Sequence, residues 1–231
     1  MTHITYHLAD ITRRIDSALE RCGAPDRHVT ILAVSKSHPP SAVAAAAAAG
    51  LEHFGESYLQ EALPKIAAVA DPSISWHFIG RIQSNKTRPI AENFSWVQTV
   101  DRARIAERLS AQRPDRLGPL NVLIQLNVDR EPRKAGVDPE ALPALAEHVA
   151  RLPRLKLRGL MGMPPAGMTG DAARRSFLAI AAAGESLASR GIEVDTLSIG
   201  MSADFELAIE CGSNLVRLGT ALFGPRPAGR G

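Results

Sequence analysis

Lys36 closes the apolar run Ile31-Leu32-Ala33-Val34-Ser35-Lys36 and is the residue of this chain best placed for covalent chemistry. At the end of a buried strand, desolvation disfavours the ammonium form and leaves a nucleophilic amine that can form a Schiff base with an aldehyde. The position also suits a solvated lysine at a strand end. Two later segments have the makings of an anion cradle. Ser198-Ile199-Gly200-Met201-Ser202-Ala203-Asp204 runs into a helical pattern from Phe205 to Cys211, so Ser202 reads as an N-cap beside exposed N–H groups. Leu218-Gly219-Thr220-Ala221 offers further backbone donors and a hydroxyl. Arg217 lies in the apolar run Leu215-Val216-Arg217-Leu218, and a buried guanidinium needs a partner. That partner is either a carboxylate such as Asp204 or Glu206, or a ligand's phosphate or ring nitrogen; spacing does not choose between them.

Other polar residues at strand ends are less specific. His77, in Trp76-His77-Phe78-Ile79-Gly80, reads first as a hydrogen-bonded core residue. Gln83, Asn85 and Lys86 follow that strand, and Lys134 and Gly136 fall on a loop of mixed charge that reads as solvated. The seven histidines are scattered with no metal-ligand spacing, and no Gly-x-Gly-x-x-Gly, P-loop or Gly-x-Ser-x-Gly segment is present.

These residues must be carried by regular elements, and the chain alternates. Ile4, Leu8, Ile11, Ile15 and Leu19 recur at helical spacing with charged residues between them, predicting an amphipathic N-terminal helix over 4–22. After it, short β-branched runs alternate with longer helical patterns. Strands are expected at 29–36, 53–56, 75–80, 96–100, 120–128, 155–163, 194–201 and 215–224, and helices at, for example, 139–151 and 171–190. Eight units over 231 residues give about 29 residues each, close to the ~30 of a strand–helix–strand module. Near-continuous apolar strands fit a parallel sheet covered on both faces. A single α/β domain over 1–231 follows, a (β/α)8 TIM barrel over 29–224 with an additional N-terminal helix; a doubly wound open sheet is the alternative. The last strand is followed by Pro225-Arg226-Pro227, which cannot make a helix, so the N-terminal helix is expected to fill the gap in the ring.

Composition narrows the class. The chain is 45% apolar and 22% charged, with a formal net charge of +3, which suits a globular protein with a sizeable core. No basic tail or stripe points to nucleic acid, and no run approaches the ~20 apolar residues of a membrane span. The N-terminal helix is too charged for an export signal, and two cysteines, Cys22 and Cys211, suit a reducing compartment. The expectation is a cytoplasmic protein without nucleic-acid or membrane partners.

The sequence resembles the pyridoxal phosphate homeostasis proteins, the YggS-like family. The resemblance rests on Leu32-Ala33-Val34-Ser35-Lys36, His53-Phe54-Gly55-Glu56, Trp76-His77-Phe78-Ile79-Gly80 with Gln83-Ser84-Asn85-Lys86, Arg158-Gly159-Leu160-Met161, Gly200-Met201-Ser202 with Asp204, and Val216-Arg217-Leu218-Gly219-Thr220. It implies a fold-type III barrel for pyridoxal 5′-phosphate (PLP), like the N-terminal domain of alanine racemase. Lys36 matches the lysine that holds PLP as a covalent imine. Ser202, Gly219 and Thr220 match positions around the 5′-phosphate, with Met201 beside them. Arg217 matches an arginine near the cofactor, facing ring nitrogen or phosphate. Lys134 matches a family lysine suited to a secondary PLP contact. Two positions depart from the family: Ser57 stands where Asn is frequent, and His38 where a second lysine is frequent.

The same resemblance bears on catalysis. Racemisation needs proton transfer on both faces of the substrate. Racemases of this fold take their second base, a tyrosine, from an additional β-domain of the partner subunit, which this chain is too short to include. Its tyrosines are Tyr6 and Tyr58. The expected function is therefore binding, buffering or delivery of PLP in vitamin B6 homeostasis, without robust catalysis, by a monomer that could hand PLP to PLP-dependent apo-enzymes. The alternative is a PLP-dependent racemase-like enzyme using His77 or Tyr58. A lysine Schiff-base aldolase for sugar phosphates ranks third.

Overall fold

The computed structural model describes residues 3–131, 135–165 and 167–225. Eight parallel strands close into a barrel in sequence order: β1 (Thr30–Val34), β2 (His53–Glu56), β3 (Ser75–Phe78), β4 (Trp96–Val100), β5 (Leu120–Leu126), β6 (Leu155–Gly162), β7 (Thr196–Met201) and β8 (Leu215–Leu218). β8 returns to β1, with Leu32 opposite Arg217 and Ala33 opposite Leu218. The alternation of apolar runs and helical patterns thus produces the predicted closed barrel. Consecutive parallel strands need a helical crossover, and each crossover covers the outside of the sheet.

The covering helices are α1 (His3–Arg21), α2 (Pro40–Ala48), α3 (Leu59–Val69), α4 (Thr87–Asn93), α5 (Ala103–Gln112), α6 (Leu142–Ala150), α7 (Gly170–Ser189), α8 (Phe205–Glu210) and α9 (Thr220–Phe223). In α1, Ile11, Ile15, Ala18 and Leu19 are buried, as the apolar spacing requires. α1 packs on α8, α9 and α2, and so occupies the place in the ring that follows β8. The alanine run of α2 buries Val43 and Ala46; small side chains let this helix lie close to its neighbours.

The last strand is shorter than expected. Residues 215–224 do not form one extended run: β8 ends at Leu218, and Thr220–Phe223 turn into α9. Composition alone does not mark that boundary, since Leu222 and Phe223 are as apolar as the strand; the turn is held by the Leu222 and Phe223 N–H groups bonding back to the Gly219 carbonyl.

The packing is divided in two. A large apolar layer, including Phe54, Phe94, Phe177 and Phe205, fills the space between sheet and helices. Inside the barrel a smaller apolar cluster of Trp96, Leu123 and Met161 shares the space with buried polar side chains: His77, Gln98, Ser198 and Arg217. A protein interior holds such groups only if they bond to one another, and all four are linked by hydrogen bonds.

Candidate functional site

Strand order decides which residues meet. β7, β8 and β1 are neighbours, and Met201 lies opposite Arg217 in the register. Lys36, just beyond the end of β1, Met201 and Ser202, at the end of β7, and Gly219 and Thr220, just beyond β8, therefore share one sector of the C-terminal mouth. In barrels of this kind that mouth is where function resides. A surface depression of about 840 Å³ lies at the opposite rim beside Leu155, Lys156 and Asp195 and includes none of these residues.

Ser202 joins the two loops. Its hydroxyl oxygen accepts hydrogen bonds from the Gly219 N–H at 3.3 Å and the Ala221 N–H at 3.2 Å. This corrects its reading as an N-cap: Asp204 precedes α8, and its carboxylate accepts from the Met201 N–H at 2.6 Å. The chain bends here at Gly200, whose φ of +92° and a clearance of 2.5 Å from a Cβ to Ala208 Cβ exclude a side chain. Met201 is 39% exposed beside the cradle, and Thr220 is exposed at the start of α9.

Arg217 is 4% exposed. One terminal nitrogen donates to the Ser198 carbonyl at 2.6 Å and the Ser198 hydroxyl at 2.9 Å; the other donates to the Gly162 carbonyl at 3.0 Å. The carboxylate partners considered from sequence are engaged elsewhere: Glu206 holds Arg14 in a two-pronged pair, and Asp204 bonds to backbone. Burial pushes the Arg217 guanidinium down to about 10, with the charge of Asp204 opposing. Among the described residues no ion pair neutralises it. A buried cation held by neutral oxygens is complementary to an anionic ligand.

Lys36 is half-buried in the turn after β1, and the next residue, Ser37, takes the left-handed conformation (φ 66°). Its N–H donates to Glu61 Oε2 at 2.9 Å. A non-glycine residue in that region costs of the order of 1 kcal/mol and is kept only where its surroundings hold it.

The holding group was not foreseen from sequence. Lys65, on α3 and 4% exposed, donates to Glu56 Oε1 at 2.5 Å and to the Ser35 carbonyl at 2.8 Å. The Ser35 hydroxyl donates to the same Glu56 oxygen at 2.6 Å. Glu56 is fully buried, and its Oε2 has no hydrogen-bond partner among the described residues. A signal existed: Leu59, Ala62 and Lys65 follow one another at three-residue spacing on the buried stripe of α3, and a lysine there must find a carboxylate.

The remaining candidates fall as follows. His77 is a fully buried core residue bonded at both ring nitrogens, as its apolar strand predicts. Gln83 and Lys86 line a cavity of about 100 Å³ with Ser57, Tyr58 and Arg81, and Asn85 lies in the 3-10 turn Ser84–Lys86. His38 stacks on Phe223 at 4.9 Å. Tyr58, 56% exposed, precedes α3, and Tyr6, 68% exposed, lies on α1. Lys134 lies outside the described residues. Among the described residues, no group of three or more His, Cys, Asp or Glu could hold a metal, and no helix is long and apolar enough to cross a membrane.

Comparison with known proteins shows which family and fold this chain shares. Residues 6–227 match the family model described as the alanine racemase N-terminal domain. A Pseudomonas aeruginosa protein named pyridoxal phosphate homeostasis protein is 52% identical over 229 residues, spanning 99% of this chain and 98% of its own. The structure of PipY from Synechococcus elongatus with PLP bound matches with a TM-score of 0.85 at 34% identity, covering 96% of this chain and 100% of PipY. Alanine racemase from Corynebacterium glutamicum shares the fold, with a TM-score of 0.72 at 18% identity, over 98% of this chain and 61% of the racemase.

Proposed function

Because the chain belongs to the pyridoxal phosphate homeostasis protein family, within the wider family of the alanine racemase N-terminal domain, we propose that it binds PLP at the C-terminal mouth and serves PLP homeostasis by holding, buffering or delivering it. The observation that carries this reading is the convergence of three loops from adjacent strands, which brings Lys36, the Ser202–Gly219 cradle and Arg217 together at the mouth.

Bound PLP supplies an aldehyde, which an amine captures as an imine with loss of water. Lys36 is the amine. Its strand-end position and the Ser35 anchor restrict where that amine can reach. The Ser202 and Thr220 hydroxyls grip the phosphate beside Gly219, whose N–H holds the Ser202 oxygen in place, with Met201 flanking them. Arg217, held from behind by Ser198 and Gly162, supplies the buried positive charge beside the ligand.

Carriage is favoured over turnover by what the candidate proton-transfer groups do. His77 is buried, engaged at both nitrogens, and pushed well below the ordinary histidine range, by burial first and by the charge of His53 second. It stays neutral and cannot cycle a proton at the mouth. Tyr6 lies on the outer helix α1, leaving Tyr58 as the tyrosine beside the strand ends. PLP-dependent apo-enzymes as recipients, a monomeric state and a cytoplasmic location complete the proposal.

Borohydride reduction of the PLP-loaded protein, followed by peptide mapping, tests the site. The label is expected on Lys36 and absent in Lys36→Ala, which retains weak binding through the phosphate. A label found only at other lysines overturns the assignment. Fast α-proton exchange of an amino acid in deuterated water, lost in Lys36→Ala, overturns the carrier role.

A further inference from the structure

A single chain of hydrogen bonds crosses the inside of the barrel, from Arg217 to His53 at the opposite rim. Arg217 donates to the Ser198 hydroxyl at 2.9 Å, Ser198 donates to Gln98 Oε1 at 2.7 Å, and Gln98 Nε2 lies 2.9 Å from His77 Nδ1. His77 Nε2 then lies 3.0 Å from His53 Nδ1. The direction of the chain follows from one end. A guanidinium can only donate. Ser198 accepts from it and so gives its own hydrogen to Gln98 Oε1. That turns the Gln98 amide N–H toward His77 Nδ1, which must accept. His77 therefore carries its hydrogen on Nε2 and donates to His53 Nδ1. Every bond points the same way, and His53 is the terminal acceptor.

We infer that Ser198, Gln98 and His77 are positioning residues for the Arg217 end of the ligand site, and that His53 sets their polarity from the far rim. The inference rests on the reading that PLP binds beside Arg217. Gln98, His77 and Ser198 are fully buried, so none can turn to water when a neighbour changes. His53 is half-buried and lines a cavity of about 340 Å³ that opens beside the strand starts, with His28, Arg158, Asp195 and Trp96. The charged and titratable groups around it are His28, His77, Glu52 and the Arg158–Asp195 ion pair.

A second proton on His53 occupies Nδ1 and removes the terminal acceptor. His77 must then accept at Nε2 and carry its hydrogen on Nδ1. Gln98 must present its carbonyl to His77 and its N–H to Ser198. Ser198 then receives two donors, from Gln98 and Arg217, and its own hydrogen loses the Gln98 acceptor. The cost falls on the bonds that fix the guanidinium. Proton uptake at one rim is thereby coupled to ligand binding at the other, through a contiguous set of bonds.

PLP affinity of wild type, His53→Gln and Gln98→Leu, measured from about pH 5.5 to about 8.5, tests this. Burial holds the His53 ring below the ordinary histidine range, so its proton uptake falls toward the acid end of that interval. The His53→Gln side-chain carbonyl still accepts from His77 but does not titrate. Near pH 8 it should bind PLP within about twofold of wild type; on acidification wild type should weaken about fivefold relative to it, the scale of one lost hydrogen bond. The ratio cancels the titration of PLP and of Lys36. Gln98→Leu should bind about fivefold more weakly near pH 8, with no pH-dependent difference from a Gln98→Leu, His53→Gln double variant. A ratio of wild type to His53→Gln that is flat across the range, with tight PLP binding, overturns the coupling alone. Failure of wild type to bind PLP overturns the ligand assignment and the coupling with it. Unfolding midpoints over the same range separate a packing role, which would change stability without changing the affinity ratio.

Discussion

The Lys65 ammonium donates to the Ser35 carbonyl across 2.8 Å, tying helix α3 to the peptide that immediately precedes Lys36. The same ammonium pairs with Glu56, so strands β1 and β2 and helix α3 meet at one buried charge pair. The end of β1 that carries Lys36 is thus fixed from helix α3.

Breaking this pair from one side leaves a buried charge unpaired. Lys65→Met should destabilise the fold by about 3–5 kcal/mol, measured by denaturant unfolding. Lys65→Met combined with Glu56→Leu should recover most of that loss. A Lys65→Met protein as stable as wild type would show that the pair contributes nothing to the fold.

Gly200→Ala places a Cβ 2.5 Å from Ala208 Cβ at a backbone φ of +92°. Both the clash and the dihedral oppose the change, and a loss of about 1–3 kcal/mol is expected. Because Met201 and Ser202 follow directly, PLP affinity should fall as well. Thermal unfolding and a PLP titration check the two effects separately.

Ser202→Ala with Thr220→Val removes two hydroxyls from the proposed phosphate cradle. Each lost contact to a charged oxygen is worth about 1.5–3 kcal/mol, so PLP affinity should fall about tenfold or more. Pyridoxal, which lacks the phosphate, should bind the double variant and wild type equally. An equal loss for both ligands would place the cradle elsewhere.

Stability should fall in acid because of His77. Its folded-state pKa is well below the ordinary value, through burial above all. Above pH ~6.5 both folded and unfolded forms carry a neutral ring and the group contributes no pH dependence. Below that value the unfolded chain takes up a proton that the folded chain refuses, so stability declines as pH falls, by up to ~1.4 kcal/mol per pH unit. Unfolding free energies between about pH 7 and about pH 5 should decline more steeply for wild type than for His77→Gln.

Much of the architecture is legible in the sequence. Near-continuous apolar strands alternating with amphipathic helices require a parallel sheet covered on both faces, and eight such units close on themselves. Lys36, Ser202, Arg217 and Thr220 stand out because lysine, arginine and hydroxyls in or beside apolar runs are costly unless they are used, and Gly219 because it lets the backbone approach an anion. Periodicity, however, reports which face of an element is apolar and not which polar groups meet across the fold. The N-cap reading of Ser202 gave way to a bridge onto Gly219, which only the adjacency of β7 and β8 provides. The partner of Arg217 proved to be Ser198 and the Gly162 carbonyl rather than a carboxylate. Ser198 and Gln98, one hundred residues apart, meet only because barrel closure places β4 and β7 across a common interior. Local sequence determines each strand and its two faces; the partners of the buried polar groups are long-range and are decided by the closure of the barrel, where each donor must find the acceptor that the fold brings to it.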